Sequence, residues 1–353
     1  MSAGSATETK GVVSATSALR RRSPSGALST ALMLAVGLAA ACAAPHGTGV
    51  APGAEPGIMS TADATSAIVV CGERVPVDAP VVLWTDPGGY SAYLEGGHFG
   101  EAEPGRRYTP GRRVPDGWGD PAVDARIRAG TATRAELATF VDQFLLHYDV
   151  CGTSELCFRV LQDQRRLSVH FLLDLDGTIY QTLDLRDQAW HAAVANGRSV
   201  GIEIASIGAW APGDARGQAY LAEWYEDGPD GTVVTLPERY GDGGIRSGAR
   251  RFPAAVDGPV RGVIQGTELV QYGFTEAQEE SLAALTAALH RALPGIALDV
   301  PRLADGSVRP DLLAPDELGA WSGLLAHWHT SAVKTDPGPA LDWDRLLEAA
   351  RER

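Results

Sequence analysis

The chain has 353 residues, 44% of them hydrophobic, and it carries a formal net charge of −14. This length is sufficient for a full hydrophobic core in one large domain, or in one domain that follows a long leader. A surface with this much negative charge repels phosphates, so the composition argues against nucleic acid and anionic lipid headgroups as partners.

Residues 1–41 have the pattern of a secretory signal peptide. The basic triplet Arg20–Arg22 precedes an apolar, small-residue run at Ala27–Ala41, which is too short to span a membrane. The run ends in LAAAC, which resembles the lipobox of bacterial lipoproteins, where the cysteine (here Cys42) is acylated. Ordinary cleavage after an Ala-x-Ala sequence, which would release a soluble protein, is the alternative. We therefore predict a periplasmic or cell-envelope lipoprotein that contacts a membrane only through this anchor, or else a secreted protein.

Two segments separate the leader from the main domain. Residues 42–67 are rich in Ala, Gly, Pro, Ser and Thr and are predicted to form a flexible tether. Residues 68–135 are predicted to form an extension packed on the main domain, with short strands at Val69–Val70 and Val81–Trp84. The stretch from Gly88 to Thr131 is dense in Gly, Pro, Arg and Asp and is expected to be irregular.

The main domain is predicted to comprise residues 136–353. A short helix over Thr133–Asp142 has Thr133 as its N-cap and Glu136 three residues later, which is the pattern of a capping box. An apolar strand at Gln143–His147 follows, and then a helix over Ser154–Gln164 with Ser154 as N-cap.

The central stretch is predicted to contain three strands. Val169–Leu173 and Thr178–Thr182 are apolar or β-branched and are joined by the turn residues 174–177. The third strand, Ser199–Ala205, contains Glu203 between two isoleucines, and side chains alternate along a strand, so Glu203 points away from both. A carboxylate near a sheet core is unfavourable unless a cation or hydrogen-bond donor faces it. The chain must therefore bring such a group to Glu203.

The second half alternates between irregular and helical patterns. Pro212–Gly262 is a long Gly-, Pro- and charge-rich insertion whose aromatic residues suggest a packed wall of a cleft. Helices are predicted at Thr275–Leu293, with Thr275 as N-cap, and at Trp343–Glu352. Because strand and helix patterns are interleaved, the predicted fold class is α/β, a mixed central β-sheet flanked by helices, with an irregular N-terminal extension and a long loop insertion.

Metal-capable side chains occur at three places: His147, the His327/His329 pair and Asp336. Two imidazoles and a carboxylate suit a catalytic zinc site that keeps one position open for water. Taken alone, a histidine at a strand end is more often a structural residue, a His-x-His pair is a weak signal, and the segment with Asp336 also fits a plain Asp-Pro-Gly turn. His170, which lies among apolar strand residues, is expected to be structural and hydrogen-bonded.

The order of these residues matches a known pattern, which five segments carry. They are LLHYD (145–149), SVHFLLDLDGTIYQ (168–181), AWHAA (189–193) with Asn196, SVGIEIA (199–205) and AHWHTSAVKTDPGPALDW (326–343). In these segments the chain resembles the zinc-dependent N-acetylmuramoyl-L-alanine amidases, the type 2 amidase family that includes the peptidoglycan recognition proteins. The resemblance leaves the leader, Gly88–Thr131 and the 212–262 insertion unexplained.

The resemblance implies roles for individual residues. His147, His327 and Asp336 match the ligands of one Zn²⁺ ion, with His329 as an alternative to His327. Glu203 matches the general base that takes a proton from the zinc-bound water, and Lys334 matches the cation near the attacked carbonyl.

The remaining implied roles lie around the cleft. His191 and Asn196 are expected to bind substrate, although His191 could instead be structural and Asn196 could hold a loop. Cys151 and Cys157 are close enough in sequence to close a small loop, and they fall where recognition proteins carry a disulfide. Cys71 is left without an obvious partner if Cys42 carries lipid.

These expectations favour one function and leave two rivals. The favoured one is an exported zinc amidase that hydrolyses the amide bond between N-acetylmuramic acid and L-alanine in peptidoglycan or muropeptides. The first rival is a catalytically silent lipoprotein that binds muropeptides, and the second is a metallopeptidase that cleaves stem-peptide bonds. Binding-only relatives commonly lack a ligand, whereas this chain has the complete ligand and base set.

Overall fold

The computed structural model describes residues 66–111 and 120–353. The predicted signal peptide, the acylation site at Cys42 and nearly all of the predicted tether lie outside the described residues. Within those residues, no helix has the length and apolar character needed to cross a bilayer.

The described residues form short strands that alternate with helices along the chain. The strands are β1 (Ala67–Val70), β2 (Glu73–Pro76), β3 (Val81–Leu83), β4 (Tyr108–Thr109), β5 (Gln143–Tyr148), β6 (Phe171–Leu173), β7 (Ile179–Gln181), β8 (Gln188–Ala189), β9 (Ser199–Ile204), β10 (Tyr225–Gly228), β11 (Gly231–Thr235), β12 (Arg251–Pro253), β13 (Pro259–Ile264), β14 (Thr267–Tyr272) and β15 (Gly323–Ala326). The α-helices are α1 (Pro121–Arg128), α2 (Arg134–Leu137), α3 (Ser154–Arg159), α4 (Ala215–Trp224), α5 (Glu276–Ala292), α6 (Pro315–Ala320) and α7 (Trp343–Arg351).

A mixed sheet forms the centre of the described structure, with six strands in the order β15-β5-β9-β6-β7-β3. Neighbouring strands are parallel except for the hairpin of β6 and β7, which is antiparallel. Its central strands are apolar runs with nearly all residues buried, as expected of parallel strands covered on both faces. The predicted fold class, a mixed α/β sheet flanked by helices, is confirmed.

Helices α5 and α7 cover one face of this sheet. Thr275 caps α5 and forms a capping box with Gln278, as the sequence predicts. The buried side of α5, including Leu285 and Leu289, shares one hydrophobic cluster with Leu347 of α7 and with the strands. A 3.6-residue apolar period thus places a long helix against the sheet.

Two short helices test the capping predictions. Thr133 and Glu136 form the predicted capping box, although α2 ends at Leu137, earlier than predicted. The predicted cap of the next helix was wrong, because Thr153 rather than Ser154 occupies the N-cap position. The Thr153 backbone is extended and its side chain accepts from the Leu156 N–H. After one and a half turns α3 widens into a π-helix over Val160–Arg165.

The N-terminal extension is part of the central structure. Strand β3 forms the edge of the sheet by pairing in parallel with β7. The stretch predicted to be irregular contains helix α1 and a fully buried arginine, Arg107. Its guanidinium donates to the carbonyls of Gln162 at 2.9 Å and Glu95 at 2.9 Å, and also to those of Gly105 and Glu103. The extension is therefore bonded directly to the π-helix.

We expect Arg107→Met to lower the free energy of unfolding by about 2–4 kcal/mol, because several buried carbonyls would lose their donor. Denaturant midpoints would measure the change. Arg106→Met is the matched control. The Arg106 side chain is 58% exposed and forms a long surface ion pair with Glu95, at 3.8 Å. Its loss should therefore change stability by less than about 0.5 kcal/mol. Equal effects of the two variants would contradict this interpretation of Arg107.

The long insertion packs into a second hydrophobic cluster, which it shares with residues of the main domain. Helix α4 and the three-stranded sheet β10-β11-β12 pack around Trp224, Val234 and Phe252. Trp224 lies against Gly152, where an added Cβ would be 2.4 Å from the indole ring. Among described residues, those lining the main cleft come from other segments, so the insertion does not form the predicted wall.

Candidate active site

A cleft of about 500 Å³ opens where β5, β9 and β15 end. Its volume falls in the range of small-molecule sites, and the carboxyl ends of parallel strands are where such sites usually form. His147 lies near the end of β5 and Glu203 lies beside it on β9, because the two residues are partners in the strand register. His327 follows β15 directly, and the chain returns nine residues later with Asp336.

Three side chains converge in this cleft. The Nδ1 atoms of His147 and His327 lie 2.9 Å apart, and each lies 2.8 Å from Oδ2 of Asp336. All three residues are buried, and they form a group of potential metal ligands. The structure thus brings together the three residues that the sequence analysis assigned to the metal.

The geometry of the three atoms fits one small cation. In a tetrahedral zinc site with bonds of about 2.0–2.1 Å, neighbouring ligand atoms lie roughly 3.3 Å apart. The observed spacing of 2.8–2.9 Å is slightly tighter, and each atom still faces the other two. Two imidazoles and one carboxylate are ordinary zinc ligands, and the cleft leaves a further position open.

Charges and hydrogen bonds within this group shift the pKa values of His147 and Asp336. Burial, together with the charge of the nearby His327, lowers the pKa of His147 to about 4 against the opposing effect of Asp336. Burial alone would raise the pKa of Asp336, but the charge of His327 and hydrogen bonds from both imidazoles hold it below its usual range. At neutral pH His147 is therefore neutral and Asp336 is ionised, which are the forms that bind metal.

His329 does not join the group. Its Nδ1 accepts from the Ala326 N–H at 3.0 Å, and its Nε2 donates to the Arg309 carbonyl at 2.8 Å. Both ring nitrogens are therefore used in holding the chain around β15. Of the two imidazoles that the sequence left open, the structure places His327 in the cleft.

Glu203 lies in the cleft with one carboxylate oxygen unsatisfied. Its Oε2 atom is buried and has no hydrogen-bond partner. Burial raises the pKa of Glu203 well above its usual value, the charges of Asp336 and Asp149 raise it further, and Lys334 and Arg165 lower it. A half-buried carboxylate with one buried oxygen that lacks a donor is poised to accept a proton.

Alternation along β9 places three positions on the cleft side of the sheet: Ser199, Gly201 and Glu203. The His191 ring lies over Gly201, where an added Cβ would be 2.5 Å from it. His191 also lies 3.0 Å from Nε2 of His147 and 3.1 Å from the Ser199 hydroxyl. The residue predicted to bind substrate therefore contacts a residue of the candidate metal group.

We expect Gly201→Ala to displace the His191 ring and to destabilise the protein by about 1–3 kcal/mol, as overpacking does. Thermal or denaturant unfolding would measure the loss. Gly213→Ala is the matched control, because nothing lies within 4 Å of a Cβ built there. A stable Gly201→Ala protein with an unmoved His191 would refute the crowding argument.

The other sequence candidates have these positions. The Asn196 side-chain oxygen accepts from the backbone N–H groups of His191 and Ala192, which favours the role of holding the loop. His170 is fully buried and accepts from the Gly201 N–H while its Nε2 lies 3.0 Å from the Asp187 carbonyl, as expected for a structural residue.

The predicted disulfide partners are both buried. Cys151 and Cys157 belong to the same hydrophobic cluster, and both line the cleft. The disulfide stays a prediction.

Two cleft residues were missed from the sequence. Asp149 lies two residues after His147, and one of its oxygens accepts from the N–H groups of Cys151, Gly152 and Ser206 while the other is buried without a partner. Burial raises the pKa of Asp149 to about 7. Arg165, at the end of the π-helix, brings a second cation to the cleft beside Lys334. The signal for Asp149 was its place in LLHYD, whereas nothing local distinguished Arg165 from its neighbour Arg166.

A family model described as N-acetylmuramoyl-L-alanine amidase, Amidase_2, matches residues 137–339, more than half of the chain. The chain belongs to this amidase family. The predicted resemblance is confirmed. The match includes the converging residues of the cleft and begins after the N-terminal extension. A comparison with curated proteins gave no match.

Several solved amidase structures are similar to the chain. The complex of AmiD from E. coli with the substrate anhydro-N-acetylmuramic acid-L-Ala-D-gamma-Glu-L-Lys is 15% identical, with 67% of this chain and 60% of that chain covered and a TM-score of 0.32. The endolysin amidase LysCS from Clostridium intestinale is 13% identical, with 61% and 86% covered and a TM-score of 0.29. A selenomethionine derivative of AmpD is 18% identical, with 77% and 94% covered and a TM-score of 0.27. The chain thus spans less than two thirds of the AmiD chain.

Proposed function

We propose that this amidase uses zinc to hydrolyse the amide bond between N-acetylmuramic acid and L-alanine in peptidoglycan or muropeptides. One observation carries the proposal: a convergent His147–His327–Asp336 group lies in the same cleft as the unsatisfied carboxylate of Glu203. A protein that only bound muropeptides would have no use for a carboxylate with an unsatisfied oxygen beside a group of potential metal ligands.

The proposed metal ligands are Nδ1 of His147, Nδ1 of His327 and a carboxylate oxygen of Asp336. A zinc ion held there would polarise the scissile carbonyl and make a water molecule more acidic. The cleft would take the substrate in its open part, where the apolar side chains of Val194 and Val333 are 75% and 69% exposed and provide contacts for apolar groups of a ligand.

Glu203 is the proposed general base. Its raised pKa makes it a stronger base than an exposed carboxylate, so it would accept a proton from the attacking water and return that proton to the leaving amine of L-alanine. Lys334 would hold the developing negative charge on the carbonyl oxygen. Arg165 would attract carboxylates of the stem peptide into the cleft.

The proposed location is outside the cytoplasm, where peptidoglycan lies. It rests on the sequence pattern of residues 1–42, with anchoring through Cys42 or secretion as the two alternatives. We also propose residues 136–353 as the catalytic domain and 68–135 as the extension packed on it.

Purified protein loaded with zinc should be incubated with sacculi and with soluble muropeptides, and the products should be analysed by mass spectrometry. The proposal predicts release of intact stem peptides with a free L-alanine amine, together with glycan that carries a free lactyl carboxylate. Cleavage inside the stem peptide would instead identify a metallopeptidase. Full zinc occupancy with binding but no cleavage of either substrate would overturn the enzymatic proposal.

A further inference from the structure

His191 contacts His147 at the ring nitrogen opposite the one that faces His327 and Asp336. Nδ1 of His147 points at His327 and Asp336, whereas Nε2 of the same ring lies 3.0 Å from Nδ1 of His191. The two rings meet edge to face, with an interplanar angle of 85°. One imidazole therefore connects the metal position with a second imidazole behind it.

The chain of hydrogen bonds continues to the backbone. Nε2 of His191 lies 3.1 Å from the Ser199 hydroxyl, and that hydroxyl donates to the Ala195 carbonyl at 2.8 Å. A serine hydroxyl has one proton, and a carbonyl can only accept. Since the Ser199 proton is used toward Ala195, the hydroxyl oxygen must accept from Nε2–H of His191.

This order of donors determines which nitrogen carries the proton in each imidazole ring. A neutral His191 that is protonated at Nε2 has an acceptor at Nδ1, so Nε2 of His147 must donate to it. With a cation in place of the proton that Nδ1 shares with Asp336, His147 would carry its own proton on Nε2 and offer the Nδ1 lone pair to the metal. The same arrangement follows from the metal side, because a cation on Nδ1 requires the proton of a neutral ring to be on Nε2.

We propose that His191, supported by Ser199, is a positioning residue that fixes the tautomer and orientation of His147 for metal binding. This role replaces the substrate-binding role predicted for His191. It also explains the spacing of β9, where Ser199 anchors the ring, Gly201 leaves room for it and Glu203 faces the cleft. The strand that supplies the proposed base therefore also supports a metal ligand.

The first test measures zinc affinity by competition with a chromophoric chelator, without any substrate. His191→Ala should lower the affinity 10–100-fold, the range typical of lost partners of metal-bound histidines. His191→Asn should recover much of the loss, because its side-chain oxygen can replace Nδ1 as the acceptor. Unchanged zinc affinity in His191→Ala with a raised KM would overturn the proposal and restore the substrate-binding role.

Serine variants provide the matched comparison. Ser199→Ala removes the acceptor of His191 and should lower zinc affinity by a smaller factor than His191→Ala. Ser168→Ala is the control, because Ser168 is equally buried and holds the neighbouring Trp190 N–H without touching His191. Thermal melts would confirm that the variants are folded. Equal losses of zinc affinity in both serine variants would contradict the proposal.

The second test reads the tautomers directly. In ¹⁵N-histidine spectra of the zinc-loaded protein, His147 and His191 should both carry their proton on Nε2. A His191 ring that carries its proton on Nδ1 would overturn the proposal. The inference rests on the proposed zinc site, but its failure is distinguishable: wild-type protein that binds no zinc refutes the proposed function, whereas the ring spectra test the hydrogen-bond chain itself.

Discussion

Glu203→Gln is expected to lower kcat for amide cleavage by about 10²–10⁴-fold, the range for loss of a general acid–base group. The amide keeps the size of the side chain but cannot accept a proton from water. Zinc content and KM should change little, because Glu203 is not among the converging ligand atoms. Steady-state kinetics with a soluble muropeptide, together with metal analysis of the same sample, would measure both effects.

Glu279→Gln is the matched control for this change. Glu279 is a partly buried carboxylate on α5 whose pKa is also raised by burial, but it pairs with Arg345 and is absent from the cleft lining. Its substitution should leave kcat unchanged. Comparable losses in the two variants, or full activity of Glu203→Gln, would exclude Glu203 as the base.

Although Glu203→Gln should lower activity, it should raise the stability of the metal-free protein. Burial raises the pKa of Glu203 in the folded state, so folding favours its protonated form. The stability of the wild-type protein therefore falls as pH rises from the unfolded value, about 4.3, through the raised folded value. At neutral pH metal-free Glu203→Gln should melt at a higher temperature than the wild type, and the difference should shrink near pH 4.

Loss of zinc is the second large effect that we expect. A protein stripped with a chelator should have no detectable amidase activity, and added zinc should restore it. Zinc should also raise the melting temperature, because a ligand at 1,000 times its Kd stabilises the folded state by about 4 kcal/mol. Calorimetry or a dye-based melt with and without zinc would measure this. Undiminished cleavage by metal-free protein would exclude the mechanism.

The two neighbouring imidazoles provide a sharp comparison within this experiment. His327→Ala removes one of three converging ligands. Zinc affinity should therefore fall by more than the 10–100-fold expected when a hydrogen-bond partner of a ligand is lost. His329→Gln disturbs only hydrogen bonds to Ala326 and Arg309, so it should lower stability by about 1–3 kcal/mol yet keep zinc bound. The reverse result would move the ligand from His327 to His329.

The strands and the long helix were predictable because their signals are local. Apolar runs predicted β5, β6 and β9 within a few residues, and a capping box with a 3.6-residue period predicted α5. The 212–262 insertion was not predictable, because its short strands and its helix lie among glycines and prolines that are typical of loops. Its order comes from contacts around Trp224, which no local pattern contains.

In the candidate site, too, some features were predictable from sequence and others depend on long-range contacts. The order of His147, Glu203, His327 and Asp336 along the chain was sufficient to select the chemistry. Sequence could not choose between His327 and His329, because that choice depends on where the turn after β15 points each ring. The role of His191 depends on a contact across 44 residues of sequence, and it became visible only when β9 brought Ser199 beside the ring.

The edge strand β3 has a consequence for anyone who trims this protein. The family match begins at residue 137, so a shortened chain that starts there would lack β3 and Arg107. The backbone of β7 would then be an unpaired edge, ready to recruit strands from other molecules. We expect such a fragment to aggregate. A chain that starts near residue 66 keeps β3 as the edge strand of the sheet and should not aggregate.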